Sequence, residues 1–271
     1  MKITLIILGS LLLLALLVRL GLQIKPKPFP PISEPSQPVA VMALPEDLPA
    51  PVASFYRQLY GEELPLVETA VISGRGKLRI KGIRFPARFC FTHLAGRDYQ
   101  HTIELTFYGF SVLKVDEYFL NGRSHFEMPF GVSQGPKIDQ GANLALWAEA
   151  VWMPSVWITD QNAHWEAVDD HTALLQVPFE AQTEQFVVRF DPHTGLLDLM
   201  ESMRFKGEES DRKTLWLNQV LKWDLTGKKP VPVTTTITWF DEGTPWAVLT
   251  TEQVVYNLDV SDLVTAPVMD N

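Results

Sequence analysis

About a dozen short segments of β-type sequence, joined by connections of hairpin length, run from Leu66 to Asp259 and leave little choice of fold. Leu66–Ser73 and Lys77–Ile83 flank a predicted turn at Gly74–Gly76. Ala87–Leu94 and Tyr99–Tyr108 flank Ala95-Gly96-Arg97-Asp98, and Phe110–Leu120 and Ser124–Phe130 flank Asn121-Gly122, the clearest two-residue hairpin signal in the chain. After one interruption the pattern resumes with Ala163–Val168, Thr172–Val177, Glu184–Asp191, Leu196–Lys206, Thr214–Leu225, Val231–Asp241 and Trp246–Asp259. Asp191-Pro192-His193-Thr194-Gly195 places proline and glycine where a tight reversal needs them. Strands do not alternate with helices, so a doubly wound fold is excluded. A sheet of this many strands rarely stays flat. The expectation is therefore a mainly β fold: one large curved antiparallel sheet, a half-barrel, with two covering helices.

Those helices are 48–60 and 139–152. Val52, Phe55, Tyr56 and Leu59 fall at helical spacing before Gly61. Asp139–Trp152 (DQGANLALWAEAVW) is apolar or small on nearly its whole circumference, so it must be covered on all sides or roof a greasy cavity. Asp139 is its expected cap, and Pro154 ends it by disfavouring helical geometry at Met153. Beyond Asp139, Glu149 is the single ionised group on this helix; buried, it demands a partner such as Arg88, Arg97 or Arg189. Trp147 and Trp152 on the helix, with Trp157 and Trp165 just after it, make either ordinary core or the walls of a cavity. Trp147, Glu149, Trp152, Trp157 and Trp165 are thus the candidate ligand-binding residues.

Residues 1–24 are apolar and uncharged from Ile3 to Val18, close to the about 20 residues needed to span a bilayer. The small-x-small pattern of a cleaved signal is poor around Gly21, so a retained transmembrane anchor is expected. Residues 25–47 are rich in proline and form an extended, semi-rigid tether. The β domain occupies 48–264 and a tail 265–271. Lys2 on one flank and Arg19, Lys25 and Lys27 on the other leave the positive-inside count near balance. A lone N-terminal anchor ahead of a soluble domain nevertheless implies an extracytoplasmic domain.

With 23 basic and 32 acidic residues the formal net charge is −9, and no basic stripe overrides it, which argues against nucleic acid as a partner. The single cysteine, Cys90, forms no internal disulfide and reads as a buried, inert thiol. Of six histidines none has the spacing of a metal pair on a helix; only His93 and His101 can approach, across the hairpin around Gly96, a weak metal candidate. No metal or cofactor is expected. The GxSxG elbow, the phosphate-binding glycine loop and the dinucleotide fingerprint are all missing.

Phe85–Tyr99 (FPARFCFTHLAGRDY), Val115–Leu120, Lys137–Trp157, Phe190–Leu197 (FDPHTGLL) and Trp239–Trp246 (WFDEGTPW) together resemble a bacterial family of unknown function found behind N-terminal membrane anchors. The strand order is also similar, in architecture only, to the half-barrels of periplasmic lipoprotein carriers. The resemblance carries no residue roles. The leading expectation is a membrane-anchored domain that binds or carries a hydrophobic ligand, a lipid or acyl chain. The alternatives are a non-enzymatic structural or assembly factor at the cell envelope, and a hydrolase using Glu149 or the His93/His101 pair.

Overall fold

A computed structural model describes residues 2–33, 39–129, 131–227 and 230–261. The strand end expected at Phe130, the tail 265–271 and the tether prolines Pro35 and Pro38 lie outside the described residues. The chain opens with α1 (Lys2–Gly21), an exposed apolar helix long enough to cross a membrane. A small pair, β1 (Val41–Ala43) with β2 (Glu63–Pro65), brackets α2 (Ala50–Tyr60). A first meander follows: β3 (Thr69–Ile80), β4 (Ile83–Leu94), β5 (Asp98–Phe107), β6 (Phe110–Leu120), β7 (Arg123–Met128) and β8 (Gly131–Ser133). Then come α3 (Pro136–Glu149), a 3-10 turn at Ala150–Trp152 and α4 (Val156–Thr159). The second meander is β9 (His164–Asp169), β10 (Thr172–Phe179), β11 (Gln182–Phe190), β12 (Leu197–Arg204), β13 (Thr214–Asp224), β14 (Val231–Trp239) and β15 (Ala247–Tyr256).

The two meanders form one antiparallel sheet of thirteen strands, ordered β8-β7-β6-β5-β4-β3-β15-β14-β13-β12-β11-β10-β9. They are wings, joined where the first and last strands, β3 and β15, pair over most of their length. β8 and β9 are the outer edges, and α3 carries the chain from one edge to the other. It lies across both wings, against β6 and β7 on one side and β10 and β12 on the other. Register shifts at Val220/Lys222 in β13 and Thr251/Gln253 in β15 are bulges, which bend a strand and raise its twist. The mainly β, curved-sheet expectation therefore holds, with the pairing of the wings as the feature that local sequence does not announce.

Two expectations need correction. Gly74–Gly76 is not a turn: β3 runs straight through it. A Cβ on Gly74 would fall on the Thr250 carbonyl oxygen and against the Phe89 ring, so glycine here permits close packing at the seam. The turn is instead Lys81-Gly82, with φ of 48° and 85°. Asn121-Gly122 adopts the expected left-handed pair, φ 51° and 77°.

The second correction concerns Asp139. The helix starts a turn earlier than expected, with Gly135 before Pro136 and no side-chain cap. Asp139 is buried inside the first turns and docks α3 on the sheet. Its Oδ1 accepts from the Ser124 amide at 2.7 Å and the Ser124 hydroxyl at 2.6 Å, and its Oδ2 from Arg123 at 2.9 Å. Elsewhere, Val52, Phe55, Tyr56 and Leu59 of α2 are buried as expected, and the Tyr56 hydroxyl donates to the Pro154 carbonyl at 2.7 Å.

The end of α1 and the residues just after it do not stand free of the sheet. The Tyr108 amide donates to Gly21 O at 3.0 Å and the Tyr108 hydroxyl to Leu17 O at 2.6 Å. Arg75 and Arg88 donate to the carbonyls of Pro26 and Lys27, and Gln253 bonds both the amide and the carbonyl of Ile32. Because Phe89 points into the core, Arg88 beside it points outward, so this segment runs along the outer face. Asp139→Ala should cost about 2–3 kcal/mol of unfolding free energy, since it strands the buried Ser124 donors. A denaturant midpoint equal to wild type would refute this.

Candidate functional site

Alternation along the strands places one side chain in two on the concave face. On β4 these are Phe89, Phe91 and His93; on β5, Tyr99, His101 and Ile103; on β6, Glu117 and Phe119. The second wing contributes Arg204 from β12, Trp216 from β13, Ile237 and Trp239 from β14, and Leu249 from β15. Between this face and α3 lies a cavity of about 420 Å³. Ile138, Gly141, Ala145 and Glu149 line it from α3, at the three- and four-residue steps of one helix face. Ala145 is small, which leaves room beneath the helix, and Gly141 lets Arg204 pack against α3: a Cβ there would come 2.9 Å from the Arg204 Nε. The walls are largely apolar, from Phe126 and Met128 at one side to Trp239 and Trp246 at another, with Lys137, Lys206 and Glu208 also on the lining.

The inner part of this cavity is charged. Glu149, the last residue of α3, directs Oε2 to 3.1 Å from His93 Nε2 and 2.8 Å from His101 Nε2. The Nδ1 of His101 faces Glu117 Oε2 at 3.8 Å. Glu117 Oε1 accepts from the Tyr99 hydroxyl at 2.6 Å, and the Tyr99 ring stacks on His101 at 3.9 Å and 8°. Arg204 packs its guanidinium over Trp216 at 4.4 Å. Among the described residues no carboxylate lies within salt-bridge distance of it, and its Nε has no hydrogen-bond partner.

Burial acts against every charge here, and neighbours decide the outcome. For His101 burial pulls downward, but Glu149 and Glu117 outweigh it and raise its pKa from 6.5 to about 9. Burial likewise opposes the Glu149 charge, yet His101 and His93 hold it down at about 2. His93 has less help, and burial leaves its pKa lowered. Burial also lowers the pKa of Arg204, against the upward pull of Glu117, Tyr99 and Glu149. A carboxylate at a helix C-terminus is ordinarily disfavoured by the helix dipole; the imidazoles offset that.

Of the five residues expected from sequence, only Glu149 lines the main cavity. It pairs with none of the anticipated arginines: Arg88 binds Glu104, Arg97 binds Asp98, and Arg189 binds Glu201. Trp152 borders a second space of about 30 Å³, room for a water or so. Its Nε1 donates to Pro232 O and Thr251 Oγ1. Trp147 and Trp157 are packed in the core, with Trp157 Nε1 donating to Trp147 O, and Trp165 meets Trp157 edge-on at 5.9 Å. Trp147 also borders a shallow depression by Gly96, on the other side of α3. The tryptophans that do line the cavity are Trp216, Trp239 and Trp246, which the sequence reading passed over. Cys90 is half-buried on the outer face rather than buried, with its thiol pKa pushed up by burial.

These features define a helix-roofed, curved-sheet protein with an internal apolar cavity. The chain belongs to DUF6544, a family of unknown function whose model matches residues 38–250. No curated protein matches it. Among solved structures it is similar to a LolA superfamily protein from Nitrosomonas europaea, at 9% identity over 80% of this chain and 96% of the other, with a TM-score of 0.48. It is also similar to a DUF1329 family protein from Desulfovibrio piger, at 13% identity over 72% and 88%, TM-score 0.42. A putative outer membrane lipoprotein-sorting protein domain from Vibrio parahaemolyticus matches at 10% identity over 72% and 88%, TM-score 0.41.

The raised pKa of His101 makes stability depend on pH. The protonated ring stabilises the fold fully below pH 6.5, and that contribution is lost as pH rises through about 9. The melting temperature of the protein should therefore fall between pH 7 and 10. In His101→Asn the same interval should be flatter; an unchanged slope would show that the ring does not carry the effect.

Proposed function

We propose that this protein binds a hydrophobic molecule with an acidic head, an acyl chain or lipid, in the cavity beneath α3. The observation that supports this reading is a largely apolar-walled space of about 420 Å³ whose inner region holds a cation, Arg204, with no carboxylate within salt-bridge distance among the described residues, Glu117 and Glu149 acting on it from farther off. Volumes of this order suit a single small ligand. A buried guanidinium prefers a paired anion, and the apolar walls favour a chain. Trp216 against the guanidinium fixes its plane, its Nε and Nη2 pack towards Gly141, and a carboxylate or phosphate would reach it from the cavity.

Geometry also supports acquisition from a membrane. The α1 helix ends against Phe107 and Tyr108, at the β5–β6 hairpin tip. The β3–β4 tip and the β14–β15 connection lie at the same end of the sheet, as the pairing of Leu78 with both Phe85 and Ala247 requires. Cavity-lining Leu78, Met128, Phe205 and Trp246 belong to this end. Exposed Ile83, Phe110 and Phe240 cluster there too, apolar groups suited to a lipid surface. In this reading α1 is a retained anchor, and the domain stands outside the cytoplasm with its opening towards the bilayer.

Two experiments test it. Purified protein should bind a fluorescent long-chain fatty acid saturably, and Ala145→Phe, which fills the space below α3, should weaken that binding at least tenfold while leaving the circular dichroism spectrum unchanged. Equal binding by wild type and Ala145→Phe would place the ligand elsewhere and sink the proposal. For topology, alkaline phosphatase fused after Asn271 should be active; inactivity would reverse the orientation.

A further inference from the structure

His93, His101 and Glu149 come from three different elements, β4, β5 and the end of α3, yet they aim donor atoms at one point. Glu149 Oε2 lies 3.1 Å from His93 Nε2 and 2.8 Å from His101 Nε2, and one donor from each residue falls within 4.8 Å of the other two. We propose that these three side chains form a binding site for a divalent first-row transition metal, with zinc as the ion of choice. This goes beyond ligand binding in the cavity and stands without it. It also departs from the sequence expectation of no metal.

An ion pair alone does not account for the cluster. One protonated imidazole would balance Glu149, but a second is present, and His93 is fully enclosed. Glu149 Oε2 is a single acceptor facing two imidazoles, and among the described residues both ring nitrogens of His93, His101 Nε2 and Glu149 Oε2 are buried without a well-aligned hydrogen bond. Leaving so many converging polar atoms unpaired in one buried spot is costly. A single cation at the point of convergence satisfies one lone pair from each residue at once.

The distances fit with small adjustment. Donors about 2.0–2.2 Å from a tetrahedral ion stand roughly 3.4 Å from one another. The two separations from Glu149 Oε2 need widen by roughly 0.3–0.6 Å, and one donor from each residue already lies within 4.8 Å of the others. Two imidazoles and a carboxylate are the donor set of many zinc and ferrous sites with three protein ligands. The surroundings support the ligands as such sites require. Glu117 faces the far nitrogen of His101, the Tyr99 hydroxyl fixes Glu117, and the Tyr99 ring holds the plane of His101. The C-terminal end of α3 carries partial negative charge, which favours a cation there.

His101 and Glu149 line the main cavity, while His93 lies behind them. Three protein ligands leave a coordination position, and that position faces the cavity. The geometry is that of an open site, not a closed structural one.

The test uses the full chain in detergent, purified without a histidine tag, stripped by chelator and given no lipid. Titration with Zn²⁺ alone should show one saturable site of micromolar or tighter affinity, and Co²⁺ should give the visible bands of a four- or five-coordinate ion. His93→Ala and Glu149→Gln should each weaken Zn²⁺ binding by a hundredfold or more, and Glu117→Gln by about 10–100-fold. His125→Ala, on β7 outside the cluster, should leave it unchanged. Should a ligand variant fail to fold, the Co²⁺ spectrum of wild type decides. No saturable Zn²⁺ binding, six-coordinate Co²⁺ bands, or equal affinity in wild type and Glu117→Gln would overturn the site. Because no fatty acid enters the assay, its failure leaves the cavity reading standing, and the reverse.

Discussion

A helix without a polar face persists in water only when something surrounds it, and the architecture follows from that demand on α3. From Asp139 to Ala148 every residue of α3 is buried. A flat sheet covers one side of a helix. This one reaches round because its two wings meet at β3 and β15 and bend at bulges in β13 and β15. Aromatic and aliphatic side chains fill the side of α3 that bears Trp147. On the opposite side, glycine and alanine stand where bulk would be needed to close the gap. The cavity is thus a consequence of side-chain size along one helix face.

Its charged floor raises an energetic question that the neighbours answer. Four ionisable groups, His93, His101, Glu117 and Glu149, share a small volume from which water is largely displaced, and Arg204 lies near them. Each is costly there alone. Together they hold one another in charge states that none would keep singly. Such groups could be replaced by well-packed apolar residues at little loss of stability. Their presence beside an accessible space is what the proposed binding role would require.

How much of this the sequence disclosed depended on range. Asn121-Gly122 and the Asp191–Gly195 reversal were legible because a turn is written in adjacent residues; Asp191 Oδ1 accepts from the amides of His193 and Thr194 just as a local reading anticipates. The encirclement of α3 was legible from its composition. The seam was not, because β3 and β15 are distant in sequence and glycine reads equally as turn or as close approach. The lining tryptophans were missed for a related reason: an all-apolar helix gives no sign of which face is open. The signal was present in the spacing of Ile138, Gly141, Ala145 and Glu149, where small residues recur on one side. His93 and His101 were recognised as neighbours across a hairpin, and Glu149 as a buried acid in need of a partner. Joining the two needed the register that sets His101 opposite both Phe91 and Glu117.

The pairing of β3 with β15 also fixes the order in which the molecule is assembled. The first wing can form as soon as β8 exists, yet its β3 margin keeps a row of unsatisfied amides and carbonyls until the most distant strand arrives. A chain threading outward from a membrane would hold that raw margin exposed through nearly the whole of its emergence. Outer-face contacts from Pro26 and Lys27 reach the side chains of Arg75 and Arg88 beside it, but they leave the backbone of β3 waiting. Closure is then a late event of long sequence separation, slow by nature, during which the nascent half-sheet is open to pairing with any other extended strand.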